Sequence, residues 1–116
     1  GVEVVAEGRG LAVGDEELSR QALLNLVRNA VQASPAGGRV DLRADGASVS
    51  VADRGHGVPE TIRPRLFEPF VTGRTRGLGL GMAVARRCLR RQGGEVVLAD
   101  TGPTGTCFVL TWPVKE

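Results

Sequence analysis

The stretch from Asp15 to Ser34, DEELSRQALLNLVRNAVQAS, constrains the fold of this chain more than any other. Its spacing predicts one helix. Asp15 is placed to cap the first turn, and Glu16 and Glu17 set negative charge at the positive end of the helix dipole. Pro35 with Gly37 and Gly38 supplies the stop. At about 100° per residue, Ala22, Leu23, Leu26, Val27, Ala30, Val31 and Ala33 gather on one apolar arc, and Gln21, Arg28 and Gln32 lie opposite. Asn25 and Asn29 fall on the border, four residues apart and so one turn apart on the same face. Asparagine is a poor helix former, because its amide competes for backbone hydrogen bonds. Two of them in mid-helix beside an apolar face need a reason. Either their amide oxygens are hard, neutral ligands for Mg²⁺, which keeps waters and shares its site with substrate phosphates, or both amides cap a nearby loop.

Composition narrows the partners. With 116 residues the chain is expected to be a single domain with a real core. A net charge of +2 is too small to imply nucleic acid, and 3% aromatic residues leave few platforms on which bases could stack. Fourteen of the fifteen basic residues are arginine, which suits phosphate geometry, although such a bias can equally be genomic. Cys88 and Cys107 have no Cys or His at ligand spacing, so two reduced thiols and a cytoplasmic location are expected. There is no signal-peptide pattern or long apolar run, and Gly1 begins directly in a strand-like segment. The expectation is a domain cut from a longer protein, without direct membrane contact of its own.

Taken in order, Val2–Ala6 reads as a short strand, Gly8-Arg9-Gly10 as a turn and Leu11–Val13 as a second short strand. After the helix, Arg39–Ala44 alternates as a half-buried strand does. Asp45-Gly46 is a hairpin signal and Ala47–Ala52 the returning strand. A glycine-broken turn, Asp53–Pro59, leads to a short helical segment at Glu60–Leu66 and a loop at Phe67–Arg76. A second helix is predicted over Met82–Gln92, with Val84, Ala85, Cys88 and Leu89 as its buried stripe and Arg86, Arg87, Arg90 and Arg91 as its wet face. Two strands, Glu95–Ala99 and Thr106–Trp112, close the chain.

Two further motifs carry chemistry. Asp53 stands at the exit of an apolar strand, where an aspartate either caps the following turn or accepts hydrogen bonds from a ligand. Gly55 and Gly57 would let backbone come close to that ligand. The run Gly77-Leu78-Gly79-Leu80-Gly81 precedes a helix, and bare N–H groups there form a phosphate cradle aided by the helix dipole. Its G-x-G-x-G spacing after an arginine-containing loop is not a dinucleotide fingerprint, and no Walker lysine follows.

With these motifs in view, the chain resembles the catalytic, ATP-binding domain of bacterial sensor histidine kinases. That domain shares a superfamily with DNA gyrase, the large heat-shock chaperone ATPases and mismatch-repair ATPases. LLNLVRNAVQAS is similar to the N box, VADRGHGV to the first glycine box, RLFEPF to the phenylalanine box and GLGLGMAVARR to the second glycine box, in the family's order. NAVQASPAGG and the short VTGRTRG look most like the nitrogen-regulation type. The resemblance implies an α+β fold, a two-layer α/β sandwich of the Bergerat type with a mixed sheet of about five strands and helices on one face.

The resemblance also assigns roles. Asp53 would accept the adenine amino group, Gly55, Gly57 and Val58 would line the base, and Thr106 in the Gly-Thr-x-Phe pattern from Gly105 would complete the adenine contacts through water. Asn29 would bind the Mg²⁺ that bridges the phosphates, with Asn25 helping to hold them. Gly77, Leu78, Gly79, Leu80 and Gly81 would wrap the triphosphate. Phe67 and Phe70 would anchor a short ATP lid, Val71–Arg76, from which Arg74 or Arg76 would supply positive charge. The lysine and aromatic that many members place after the second asparagine are here Gln32 and Ala33.

Hydrolysing relatives carry a glutamate as general base where this chain has Asn25, and an amide cannot take that proton. The implied function is therefore donation of the γ-phosphoryl group of ATP to a histidine on a separate dimerisation and phosphoacceptor domain of the same kinase. A response regulator would be an indirect partner, and the isolated domain would be monomeric. His56, the only histidine, sits between two glycines and reads as an exposed spacer. A nucleotide-binding module without transfer activity and a serine kinase of anti-sigma type are the alternatives.

Overall fold

In a computed structural model describing residues 1–9, 15–68 and 81–113, the first helix, α1, spans Glu16–Ala33. Asp15 caps it: its backbone is extended, and its carboxylate accepts a 2.8 Å hydrogen bond from the Leu18 N–H. At the far end the Ser34 hydroxyl donates to the Ala30 carbonyl at 2.8 Å. The buried ridge is Ala22, Leu26 and Ala30, one residue per turn, with Leu23 and Val31 packed beside it. It is narrower than the arc read from the sequence, because Val27 and Ala33 are only half-buried.

Five strands make one mixed sheet in the order β1-β2-β3-β5-β4: β1 Glu3–Arg9, β2 Arg39–Asp45, β3 Ser48–Asp53, β4 Glu95–Gly102 and β5 Gly105–Thr111. β1 and β2 run parallel, which α1 permits by crossing over between them, and the other pairs are antiparallel. Val40, Val51, Val96, Phe108 and Leu110 are buried in one core with the helices. The opposite face carries Asp41, Arg43 and Ser50 toward solvent, as a one-sided sheet should. This is the expected α+β sandwich.

Several boundaries differ from expectation. Of the turn expected at Gly8-Arg9-Gly10, the two described residues are strand: β1 pairs on through Arg9 with Asp45 of β2, and Gly8, at φ +88°, lies so close to the Ala44 carbonyl that no side chain fits, while Gly10 lies outside the described residues. The segment expected to be helical at Glu60–Leu66 reduces to a single 3-10 turn, Arg63–Arg65, in which Pro64 removes one backbone donor. β3 begins at Ser48, β4 runs on to Gly102, and β5 starts at Gly105, so the last hairpin turns on Pro103 and Thr104 alone. The strand expected at Leu11–Val13 lies outside the described residues.

The second helix, α2, spans Gly81–Arg90 and buries Met82, Ala85, Cys88 and Leu89. It stops at Gly93 (φ +85°), where the Gly94 N–H returns to the Leu89 carbonyl at 2.7 Å. The Gln92 side-chain amide oxygen, Oε1, accepts from the Asp15 N–H at 2.6 Å and from the Ser19 hydroxyl at 3.3 Å, while the Trp112 indole N–H donates to Ser19 at 2.7 Å. The start of α1, the end of α2 and the exit of β5 are thus tied together, and the helices run antiparallel. Further along, the Cys88 thiol donates to the Gln21 amide oxygen at 3.7 Å. Carried on at about 1.5 Å per residue, this register sets Asn25 level with Val84 and Asn29 level with the first turn of α2.

Candidate functional site

The central strand β3 ends at Asp53, which is only 7% exposed. Its Oδ1 accepts a 2.8 Å hydrogen bond from the Gly55 N–H. Turn capping, the ordinary reason for an aspartate here, therefore holds for one oxygen. A carboxylate has about four acceptor sites, and capping the turn uses one of them.

The glycines around Asp53 answer first to the protein's own backbone. A methyl group on Gly55 would run into the carbonyl of Ala33, the last residue of α1. One on Gly57, at φ +88°, would run into the Gly102 carbonyl, and one on Gly105 into the carbonyl of Asp53 itself. The close approach that the sequence suggested for a ligand is thus made here by the end of α1 and the β4–β5 hairpin. Those contacts lock the aspartate turn between helix and sheet. His56, between the glycines, is exposed.

Across the sheet, Thr106 is the register partner of Asp53 and is 6% exposed. Thr101 stands outside the motifs read from the sequence, yet it organises this corner. Its Oγ1 lies 2.9 Å from Thr106 Oγ1 and accepts a 2.8 Å bond from the Val58 N–H. The Val58 carbonyl accepts from Arg63 Nε at 2.9 Å, so the turn is held at both backbone groups of Val58. The signal for Thr101 was present in the hairpin: Gly102 and Gly105 flank its two-residue turn and put Thr101 opposite Thr106.

Asn25, Asn29 and Ala33 lie four apart on one ridge of α1, and Ala33 is where the Asp53 turn docks. Both asparagines are half-buried. Among the described residues no group of three or more His, Cys, Asp and Glu could hold a metal ion. Amide oxygens at the border of a helix fit an ion such as Mg²⁺ that brings waters and phosphate oxygens with it. Gly81 opens α2. Phe70, Arg74, Arg76, Gly77, Leu78, Gly79 and Leu80 lie outside the described residues.

One expectation about α2 is corrected. Arg86 is not on a solvated face. It is half-buried, its guanidinium carbon 4.7 Å from the centre of the Phe67 ring, and its Nε bonds Glu95 at 3.1 Å. Phe67 in turn meets Phe108 edge-on at 6.3 Å. Both cysteines are free. Burial pushes the Cys107 thiol above its ordinary value, helped by the nearby charges of Asp100 and Asp53. Burial also raises Cys88, against the pull of Arg91 and Arg87.

A mixed five-stranded sheet under two helices, with a buried acid, a hydroxyl pair and two helix amides gathered toward one end, is the architecture of a two-layer ATPase domain. The family model described as histidine kinase-, DNA gyrase B- and HSP90-like ATPase matches residues 14–116, and the chain belongs to that family. Sporulation kinase A of Bacillus subtilis is 36% identical over 106 residues, covering 88% of this chain, which spans only 18% of that protein. Full-length ShkA, solved in complex with AMPPNP, superposes with a TM-score of 0.78 at 36% identity, over 97% of this chain and 26% of that one. The mycobacterial sensor histidine kinase MprB gives a TM-score of 0.75 at 32% identity, over 97% of this chain and 80% of that one.

Proposed function

We propose that this domain binds ATP with Mg²⁺ and donates the γ-phosphoryl group to a histidine on a dimerisation domain of the same sensor kinase, from which a response regulator takes it. The observation that carries the reading is the buried Asp53–Thr106 pair at the end of the sheet, with the Asn25–Asn29 ridge leading down to it. Asp53 would accept the adenine amine, with Gly55, Gly57 and Val58 shaping its surroundings. Asn29, level with the first turn of α2, would hold Mg²⁺, which neutralises phosphate charge when bound, and Asn25 would steady the phosphates. The glycines at 77, 79 and 81 precede or open that turn, so their N–H groups suit the triphosphate. Phosphoryl transfer needs mainly positioning and charge neutralisation.

The relatives' names favour a kinase over a regulatory module without transfer. NAVQASPAGG and VTGRTRG favour the nitrogen-regulation type among them. No helix among the described residues is long and apolar enough to cross a membrane, and the domain would work in the cytoplasm, within a sensor that is itself anchored or free.

Isothermal titration of the domain with ATP or ADP and Mg²⁺ tests the reading. Binding is expected, and Asp53→Ala should weaken it by about 2 kcal/mol or more, since a buried amine is left unpaired. No heat and no thermal shift with either nucleotide would sink it. Joined to its own dimerisation domain, the parent should label histidine with Mg²⁺ present, and Asn29→Ala should not.

A further inference from the structure

β1 is the last strand at its end of the sheet, and among the described residues no strand pairs with its outer edge. The Glu3 N–H turns toward β2 and donates to the Gly38 carbonyl at 3.0 Å, and the parallel register carries that alternation on through Arg9. The N–H and C=O groups of Val4, Ala6 and Gly8 therefore point out along the free edge. Such a row is a template for another strand. β4, at the opposite edge, is interrupted where its register shifts between Leu98 and Asp100, whereas β1 is paired without a break over its 7 residues. Val4 is 45% exposed, although Val40 beside it is fully buried.

We propose that this edge pairs with itself: two copies of the domain join β1 to β1, antiparallel, about a twofold axis at Ala6. An interface of this kind is self-complementary, so the strand must fit its own reverse. Hydrogen bonding needs outward-turned residues opposite one another, which allows an axis at a residue but not between two. An axis at Val5 sets Glu3 opposite the partner's Glu7, and one at Glu7 sets Glu7 opposite the partner's Glu7. Like charges directly opposite destabilise a pair. An axis at Ala6 avoids both. It uses the whole strand, sets Glu3 opposite position 9, an arginine in the sequence, and sets Glu7 opposite Val5. Across the axis the register then runs Arg39, Glu3, the partner's Arg9, the partner's Asp45, alternating in sign. Val4 comes to lie beside the partner's Gly8, which has no side chain to keep it out. One strand edge is too small for a stable interface by itself, so the dilute domain stays monomeric. The pairing acts where two copies are already held together, as a dimerisation domain would hold them on the function proposed above.

Sedimentation and disulfide trapping of the domain, without nucleotide, test this. The parent should sediment as a monomer at about 10 μM and show reversible dimer at about 1 mM, the local concentration that a short tether gives. Ala6→Cys, oxidised at the higher concentration, should form a disulfide-linked dimer, because the two Cα atoms lie about 5.5 Å apart across the axis. Val4→Cys should not, since the two copies of residue 4 lie about 14 Å apart along the strands. The parent's own thiols, Cys88 buried and Cys107 half-buried, set the background. Ala6→Glu brings two carboxylates face to face and should abolish the dimer with the fold kept, because Ala6 is exposed. If Ala6→Glu does not fold, Ala6→Lys makes the same comparison. A parent that stays monomeric at about 1 mM overturns the proposal. So does a dimer that survives Ala6→Glu, which would lie on another face. A dimer in which Ala6→Cys links no faster than Val4→Cys would have another register and overturns it as well. None of these outcomes needs ATP, so a domain that binds no nucleotide would sink the ATP reading and leave this one to its own test.

Discussion

Arg86 lies over the ring of Phe67, its guanidinium carbon 4.7 Å from the ring centre, with Glu95 holding its Nε at 3.1 Å. Phe67 precedes the segment 69–80 and Arg86 follows it, so this contact ties the chain on one side of that segment to the chain on the other. The edge-on contact of Phe67 with Phe108 carries the tie into the sheet. The stem of the segment is thereby fixed against the same strand, β5, that carries Thr106.

Arg86→Ala should therefore lower stability by about 1 kcal/mol, the sum expected of a partly buried cation–aromatic contact and a part-exposed ion pair. Arg86→Lys should lose less, since the charge remains but the planar fork does not. Thermal unfolding followed through Trp112, the one tryptophan, reads this as a drop of about 4 °C or more for the alanine variant. An unchanged midpoint would mean that the stacked geometry contributes nothing.

Glu95 gives the same corner a pH dependence. Partial burial disfavours its charge, but the Val96 N–H and the Arg90 and Arg86 guanidiniums outweigh that and hold its carboxyl below the usual carboxylate range. A carboxyl lowered by folding contributes its full stability above the ordinary value of about 4.3 and loses it as pH falls from there through its folded value. Glu95 is about one third exposed, so screening keeps the effect small and salt-sensitive. Stability of the parent should fall more steeply than that of Glu95→Gln between about pH 4.5 and pH 3, and added salt should narrow the gap. Parallel curves in denaturant titrations would contradict this.

What could be read from the sequence was what local chemistry decides. The cap at Asp15, the stop after Ser34 and the turn at Gly46 depend on neighbours within a few residues, and all stand where expected. Arg86 could not be read this way. Helical periodicity sets it among four arginines on an outer face, while the groups that bury it, Phe67 and Glu95, come from two other parts of the chain. Gly8 failed for the same reason: two glycines around one arginine signal a turn, but non-local pairing of Gly8 and Arg9 with β2 overrides it. Around Asp53 the motif was visible and its cause was not, because the carbonyls crowding Gly55 and Gly57 belong to Ala33 and Gly102.

That crowding separates two kinds of glycine. Gly37 has φ +80° with open space around its missing side chain, so Gly37→Ala carries only the left-handed backbone penalty, about 1 kcal/mol. Gly55 faces a backbone carbonyl that cannot swing away, so Gly55→Ala must displace the Asp53 turn from the end of α1 and should cost about 3 kcal/mol. Urea unfolding of the two variants reads the difference directly. Equal losses would show that the turn yields without strain.

The last prediction concerns residue 25, on the half-buried border of α1 one turn before Asn29. A carboxylate there could take a proton from a water lined up on the γ-phosphate, and the amide of Asn25 cannot. On the reading proposed here, the domain alone should bind ATP and turn it over very slowly. Asn25→Glu should raise hydrolysis, and more than Asn25→Asp, because the longer side chain reaches further from a helix that the Asp15 cap and the Gln92 bridge hold in place. Charge works the other way. A new carboxylate near a triphosphate repels it and weakens binding, so the comparison belongs at saturating ATP, where phosphate release reports the chemical step and not affinity. A faster release by the glutamate variant supports the role of residue 25 even when more ATP is needed to saturate it. Rapid hydrolysis by the parent would contradict that role and would point to a domain that uses ATP to drive a conformational cycle.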